Sequence, residues 1–281
     1  MFHFAYSTNA YTKRRLEEAV VDLARMGYEG VEILADTPHL VPTTAHPRDV
    51  SALRKVLEDC RIAPVNLNVN TAHALLPGAP TAESHFEPSL THPDPGVRRL
   101  RAGTTIRALE IASDLGCPAV SVTPGRRERD PLKRQRDRLK LALDPVLKRA
   151  EALGVRVGIE YEPGLVIERG EELVSFLEEL PHPLLGANLD LGHAWVVSDD
   201  LTALLPALKG KIWNCHLEDI KDRVHAHLIP GEGNLDFDAV RKALEGIGYD
   251  GFLTAELYPY ADRPTYAAEK ALAFLRERFG P

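Results

Sequence analysis

The chain has 281 residues, 44% hydrophobic and 27% charged, which fits one large α/β barrel or two modest domains and excludes disorder and fibrous repeats. Its 34 Lys+Arg against 41 Asp+Glu leave a formal charge of -7, which argues against general affinity for nucleic-acid backbones and favours small substrates. The three widely spaced cysteines (Cys60, Cys117, Cys215) form neither a disulfide framework nor a thiolate zinc module. The N-terminal MFHFAYSTNA has no leader-like flank, and no apolar run reaches the roughly 18 residues of a membrane span. The expectation is a cytoplasmic protein without membrane or nucleic-acid partners.

In chain order, short β-branched runs predict strands at Phe4–Ser7, Gly30–Leu34, Pro64–Asn70, Ala119–Pro124, Val155–Glu162, Leu185–His193, Ile212–Asp219 and Gly251–Tyr258. Amphipathic stretches predict helices between them: RRLEEAVVDLARMG, VSALRKVLEDC, IRALEIASDLG, LKLALDPVLKRAEALG, ELVSFLEEL, AVRKALEGIG and YAAEKALAFLRERF. Several end in Gly, the residue that suits a helix C-terminus. Eight strand-plus-helix units without a break in composition predict a single α/β domain over 1–281, a closed (β/α)8 TIM barrel. The Pro-, Ser- and Thr-rich segment at about 73–97 is too long for an ordinary turn and is expected to form a loop over the barrel mouth.

In such a barrel, chemistry sits where strands end and βα loops begin. Four predicted strands place an acid or imidazole there: Glu160 in GIEYE, Asp190 in NLDLGHA, His216 in NCHLED and Glu256 in TAELY. Any one alone could be a satisfied core polar group. Four converging at one mouth carry three carboxylates whose repulsion and desolvation a divalent cation would relieve. An O3N donor set suits one ion, Mn²⁺ first, with Mg²⁺, Co²⁺, Fe²⁺ or Zn²⁺ as alternatives. Glu162 shares a face with Glu160 by strand alternation and competes with it as ligand. His193, three residues after Asp190, is a further ligand, a contact for a substrate hydroxyl, or part of a helix cap. His225 and His227, spaced i, i+2 in DRVHAHLIPGEG, are additional ligand candidates, substrate contacts, or solvated loop residues. Gly231 and Gly233 read as a tight turn, since no phosphate-binding fingerprint surrounds them.

The order Glu, Asp-x-x-His, His-x-x-Asp, a His-bearing loop with GEG and a final strand Glu resembles the xylose isomerase-like barrels. These include sugar phosphate isomerases/epimerases, ketose 3-epimerases, inosose dehydratases and apurinic endonucleases of the endonuclease IV type. The resemblance spans nearly the whole chain and is most specific from Val155 to Tyr258. It implies metal ligands at Glu160, Asp190, His216 and Glu256 and substrate contacts from His193, His227, Asn70 and Glu162. The endonucleases bind three zinc ions and carry histidines where this chain has Asn70 and Thr123, and an Asp where it has His225, so a DNA-repair role is disfavoured. The resemblance also implies a metal-dependent sugar or sugar phosphate isomerase or epimerase that works through a metal-stabilised enediolate, with Glu160 and Glu256 as the two proton-transfer groups. The same site would serve an inosose-type dehydratase, and a non-catalytic metabolite-binding protein is the remaining alternative. Trp195 or Tyr258 could pack against a sugar ring, and Arg126, Arg127 and Arg129 could receive a charged substituent. A sugar or polyol is the expected partner, and homo-oligomerisation stays open.

Overall fold

The computed structural model describes residues 2–76 and 85–280. Eight parallel strands close into a barrel: β1 (His3–Ser7), β2 (Gly30–Leu34), β3 (Ala63–Asn68), β4 (Ala119–Val122), β5 (Arg156–Ile159), β6 (Leu185–Asp190), β7 (Ile212–Leu217) and, last in the chain, β10 (Phe252–Ala255). The order around the barrel is β1-β10-β7-β6-β5-β4-β3-β2, so each strand pairs with its sequence neighbour and β1 closes on β10. Helices α1 (Leu16–Met26), α2 (Pro47–Cys60), α3 (Pro95–Leu115), α4 (Leu132–Leu153), α5 (Gly170–Glu179), α8 (Phe237–Ile247) and α9 (Pro264–Phe279) form the outer layer. Their apolar faces pack on outward strand residues such as Val31, Ile33, Leu67, Val157 and Leu253, all fully or almost fully buried. Gly27 and Gly116 take the left-handed conformation that terminates α1 and α3, which a side chain would strain.

Three features differ from the sequence reading. The β6–β7 connection, where no particular stretch was singled out as the helix of its unit, contains α6 (Leu191–Val196) and α7 (Leu201–Ala207). These helices are too short to show a clear 3.6-residue period. The segment with His225 and His227, expected as a loop, is an antiparallel hairpin of β8 (Asp219–Lys221) and β9 (Val224–Leu228). Its turn residues Asp222 and Arg223 adopt positive φ, a conformation that the residue types do not advertise. Of the expected 73–97 loop, residues 77–84 lie outside the described residues. His73–Leu75 forms a short 3-10 turn, and α3 begins at Pro95, capped by Asp94. Among the described residues, no helix is long and apolar enough to cross a membrane.

The barrel interior departs from the usual branched aliphatic filling. Alternate residues of the strands point inward, and here they are Glu32, Asn66, Asn68, Ser121, Asn188, Asn214 and Thr254, all buried. They satisfy one another. Asn66 donates to Glu32 (2.8 Å) and Ser121 (2.9 Å), Asn214 to Glu32 (3.0 Å) and Asn188 (2.9 Å), and Thr254 to Asn214 (2.7 Å). This network supports the side chains at the C-terminal mouth.

Candidate metal and substrate site

Above that network, the structure brings Glu160, Asp190, His216 and Glu256 together with one ligand atom from each within 4.8 Å of the others. Glu160 and Glu256 lie one residue beyond the last residues of β5 and β10, while Asp190 is the last residue of β6 and His216 the penultimate residue of β7. His216 is the hub. Its Nδ1 lies 3.3 Å from Glu160 Oε2, 3.6 Å from Glu256 Oε2 and 3.8 Å from Asp190 Oδ2.

Each flanking glutamate has one oxygen tied down. Asn70 donates to Glu160 Oε2 at 2.8 Å and Asn188 donates to the same oxygen, while Asn9 (2.8 Å) and Asn68 (3.1 Å) donate to Glu256 Oε1. Asp190 Oδ1 accepts the His193 N–H at 2.7 Å, so Asp190 does cap α6, while its buried Oδ2 has no donor. Both oxygens of buried Glu218 likewise lack a donor and face Asp190 and His227.

Burial pushes Glu160 well above the usual carboxylate range, with like charge on Glu256 and Asp190 adding to it and His216 partly offsetting it. Burial also raises Glu256 to about 7 and Glu162 to about 8. His216 is also raised, but toward its charged form: burial disfavours that charge, while Glu256, Glu32 and Glu160 outweigh this and hold it well above the ordinary imidazole value. One imidazole thus faces a surplus of buried acids, and an unsatisfied Asp190 oxygen points into the same space. Three hard oxygens and one imidazole nitrogen fit a divalent cation and include no thiolate.

A cavity of about 230 Å³ opens above these groups, with Glu160, Glu256, Asn68, Asn70, Glu162 and Tyr258 among its walls. Glu162 does not sit on a strand as expected, because β5 ends at Ile159; it lies in the following loop, 3.9 Å from His225 Nδ1. His193, His225 and His227 form a second cluster on the cavity wall. His193 Nδ1 donates to the Tyr161 carbonyl (3.1 Å) and His227 Nδ1 to the Glu256 carbonyl (2.9 Å), so both Nε2 lone pairs turn toward His225. Burial lowers His193 to about 4 and His227 to about 3, which keeps both neutral.

Tyr258 flanks His227, with ring centroids 4.4 Å apart, and faces the cavity. Trp195 is not among the cavity walls; the Arg223 guanidinium stacks on it at 4.6 Å instead. Arg127 is committed to Glu168 (3.2 Å) and Glu172 (3.0 Å), and Arg126 lies over the Phe86 ring.

Several residues of this region were missed from sequence. Glu32, Asn9, Asn68 and Glu218 contact the four central residues or lie beside them, and Asp36, His73, His85 and Phe86 shape the rim. For Asn68 and Glu218 the signal was present, whereas Glu32 and Asn9 carried none. In VNLNVN, ANLD and WNCHLE, polar residues recur every second position in otherwise apolar strands, which marks a polar barrel interior. Arg101 of α3, fully buried, donates to the carbonyls of Val69, Asn70 (3.1 Å) and Thr71 (2.8 Å) and holds the segment that presents Asn70.

Comparison with known proteins agrees with this architecture. The family model described as "Xylose isomerase-like TIM barrel" matches residues 20–278. Fructoselysine 3-epimerase of Escherichia coli O157:H7 is 21% identical over 97% of this chain and 95% of its own. Inosose dehydratase of Erwinia tasmaniensis is 29% identical over 47% of this chain, and the match spans about half (52%) of that enzyme's length. Among solved structures, the IOLI protein with a bound zinc atom superposes with a TM-score of 0.82 at 18% identity, over 98% of this chain and 97% of that one, a likeness of fold. With the family model covering nearly the whole barrel, the chain belongs to the xylose isomerase-like TIM barrel family.

Proposed function

We propose that this protein is a divalent-metal-dependent isomerase or epimerase of a small sugar or sugar phosphate, with Glu160, Asp190, His216 and Glu256 holding one ion, Mn²⁺ first. The observation that carries the reading is the pair Glu160 and Glu256: each has one oxygen clamped by two amide donors, and both border one cavity from strands separated by β6 and β7. Held by these four residues, a divalent ion would supply Lewis-acid charge beside a ketose carbonyl and so favour loss of the neighbouring proton to give a planar enediolate. The clamped carboxylates are fixed to serve the two faces of that planar species, one accepting a proton and the other returning one. Neutral His193 and His227 orient hydroxyls through their Nε2 atoms, Asn70 and Glu162 contact the substrate, and Tyr258 packs against its apolar face.

The test is solvent-deuterium incorporation into ketoses by the Mn²⁺-loaded protein, read with product configuration. Epimers labelled at the carbon next to the carbonyl support the reading, and Glu160→Gln and Glu256→Gln should each reduce turnover at least 10³-fold by removing one proton-transfer partner, on the order of the contribution of such a group. Full activity in both variants refutes the two-base mechanism.

Two specific observations favour variants of this reading. The match to inosose dehydratase makes elimination of water the second reaction to assay, since the same proton removal initiates it. The three Nε2 atoms of His193, His225 and His227 form a nitrogen cluster able to take an additional ion, so metal stoichiometry belongs in the same experiment.

A further inference from the structure

Glu32 is a fully buried carboxylate of the barrel, and it lies beneath the mouth rather than in it. It sits at the middle of β2, fully buried, and does not border the cavity. Four donors surround it: Asn66 (2.8 Å) and Asn214 (3.0 Å) reach Oε2, Asn68 (3.0 Å) reaches Oε1, and His216 Nε2 lies 2.7 Å from Oε2. Three of these partners are amide NH2 groups that can only donate, so Glu32 is an acceptor on every side and His216 must present Nε2–H to it. The imidazole is thereby locked with its other nitrogen, Nδ1, directed at Glu160, Asp190 and Glu256. Asn68 extends the same restraint by bridging Glu32 Oε1 and Glu256 Oε1.

We infer that Glu32 is a positioning residue for the ion site: it fixes the protonated nitrogen and ring plane of His216 so that Nδ1 is the ligand atom, and through Asn68 it couples that choice to the orientation of Glu256. The inference rests on the metal reading above and deepens it, because a carboxylate behind a ligating imidazole raises the basicity of the ligand nitrogen and removes its rotational freedom.

Glu32→Gln keeps the volume and replaces one acceptor oxygen with an NH2 that must face existing donors. Expected is a 10- to 100-fold weaker Mn²⁺ dissociation constant by calorimetry, the range for loss of such a partner. In the Zn²⁺-loaded protein, a strongly downfield Nε2–H resonance of His216, assigned with His216→Gln, should disappear or move upfield. Glu32→Asp, which keeps the charge one methylene short, should fall between wild type and Gln in affinity, and it carries the comparison if the Gln variant does not fold. A merely structural Glu32 would lower the melting temperature of the variants yet leave affinity and the His216 resonance unchanged, and that result overturns the inference. If the wild-type protein itself binds no divalent ion, the proposed function fails and this inference with it. If wild type and both variants bind equally, only this inference fails.

Discussion

Asn70 shows how much of the site depends on single neutral residues. It occupies a position where the resemblance led us to expect a histidine in an endonuclease, and its amide instead clamps Glu160 Oε2 at 2.8 Å. Asn70→Ala leaves Asn188 as the sole clamp and removes a hydrogen bond to a charged group worth about 2 kcal/mol, so kcat/KM should drop roughly thirtyfold while Mn²⁺ affinity changes less. Steady-state kinetics beside metal titration separates the two effects. Arg101 acts one step further back, through the carbonyls of residues 69–71. Arg101→Ala should cost about 3 kcal/mol in denaturant unfolding, because buried carbonyls lose their donors. Sequence named Asn70 only as a substrate contact and did not single out Arg101; that Asn70 clamps Glu160 and Arg101 braces residues 69–71 emerges only from the tertiary contacts. Glu160, Asp190, His216 and Glu256 were legible as a group, because each stands at or just past the end of an apolar run.

At the scale of elements, two aspartates shape the rim. Asp36 accepts N–H groups of Thr37 (2.7 Å), His73 (2.8 Å) and Ala74 (2.8 Å) and fastens the start of the loop after β3. Asp219 accepts those of Ile220 (2.9 Å), Gly231 (2.8 Å), Gly233 (2.9 Å) and Leu235 (3.1 Å), which closes the GEG turn behind the β8–β9 hairpin. The glycines suit this turn because a Cβ on Gly233 would lie 2.4 Å from Asp219 Oδ1 and 2.5 Å from the Ile220 carbonyl. Asp219→Asn turns one acceptor into a donor facing N–H groups. It should cost about 1–3 kcal/mol in thermal unfolding and displace the hairpin that carries His225 and His227. The hairpin itself escaped sequence reading because its strands are short and half exposed, so alternation against solvent gives little contrast.

For the whole molecule, the proposed ion site would link ion binding to folding. If one Mn²⁺ binds the folded chain alone, stability rises by RT ln(1 + [M]/Kd), about 2.7 kcal/mol at a hundredfold excess over Kd. The melting temperature should therefore fall on chelation and recover with Mn²⁺, but not in His216→Ala. Acid acts through the rim. Burial, with His73 and Arg126 adding positive charge and Asp36 partly offsetting it, lowers His85 to about 4 from an ordinary 6.5. The unfolded chain therefore binds a proton at this residue in a window where the folded chain does not. Its contribution is full above about pH 6.5 and is lost as the pH falls through about 4. Melting temperatures across that window should decline less steeply in His85→Asn than in wild type.

The alternation of apolar strands with amphipathic helices was enough to predict a closed (β/α)8 barrel and the strand ends at which acids and imidazoles gather, because periodicity is a local property of the chain. Glu32 was beyond such reading. In GVEIL it alternates with apolar neighbours as a solvent-facing residue would, and only closure of β1 against β10 turns that face into an interior. The three-histidine cluster likewise joins residues of α6 and β9, more than 30 positions apart in sequence. Which polar groups share a buried space depends on barrel closure and on how loops return across the mouth, and neither leaves a periodic trace in the order of residues.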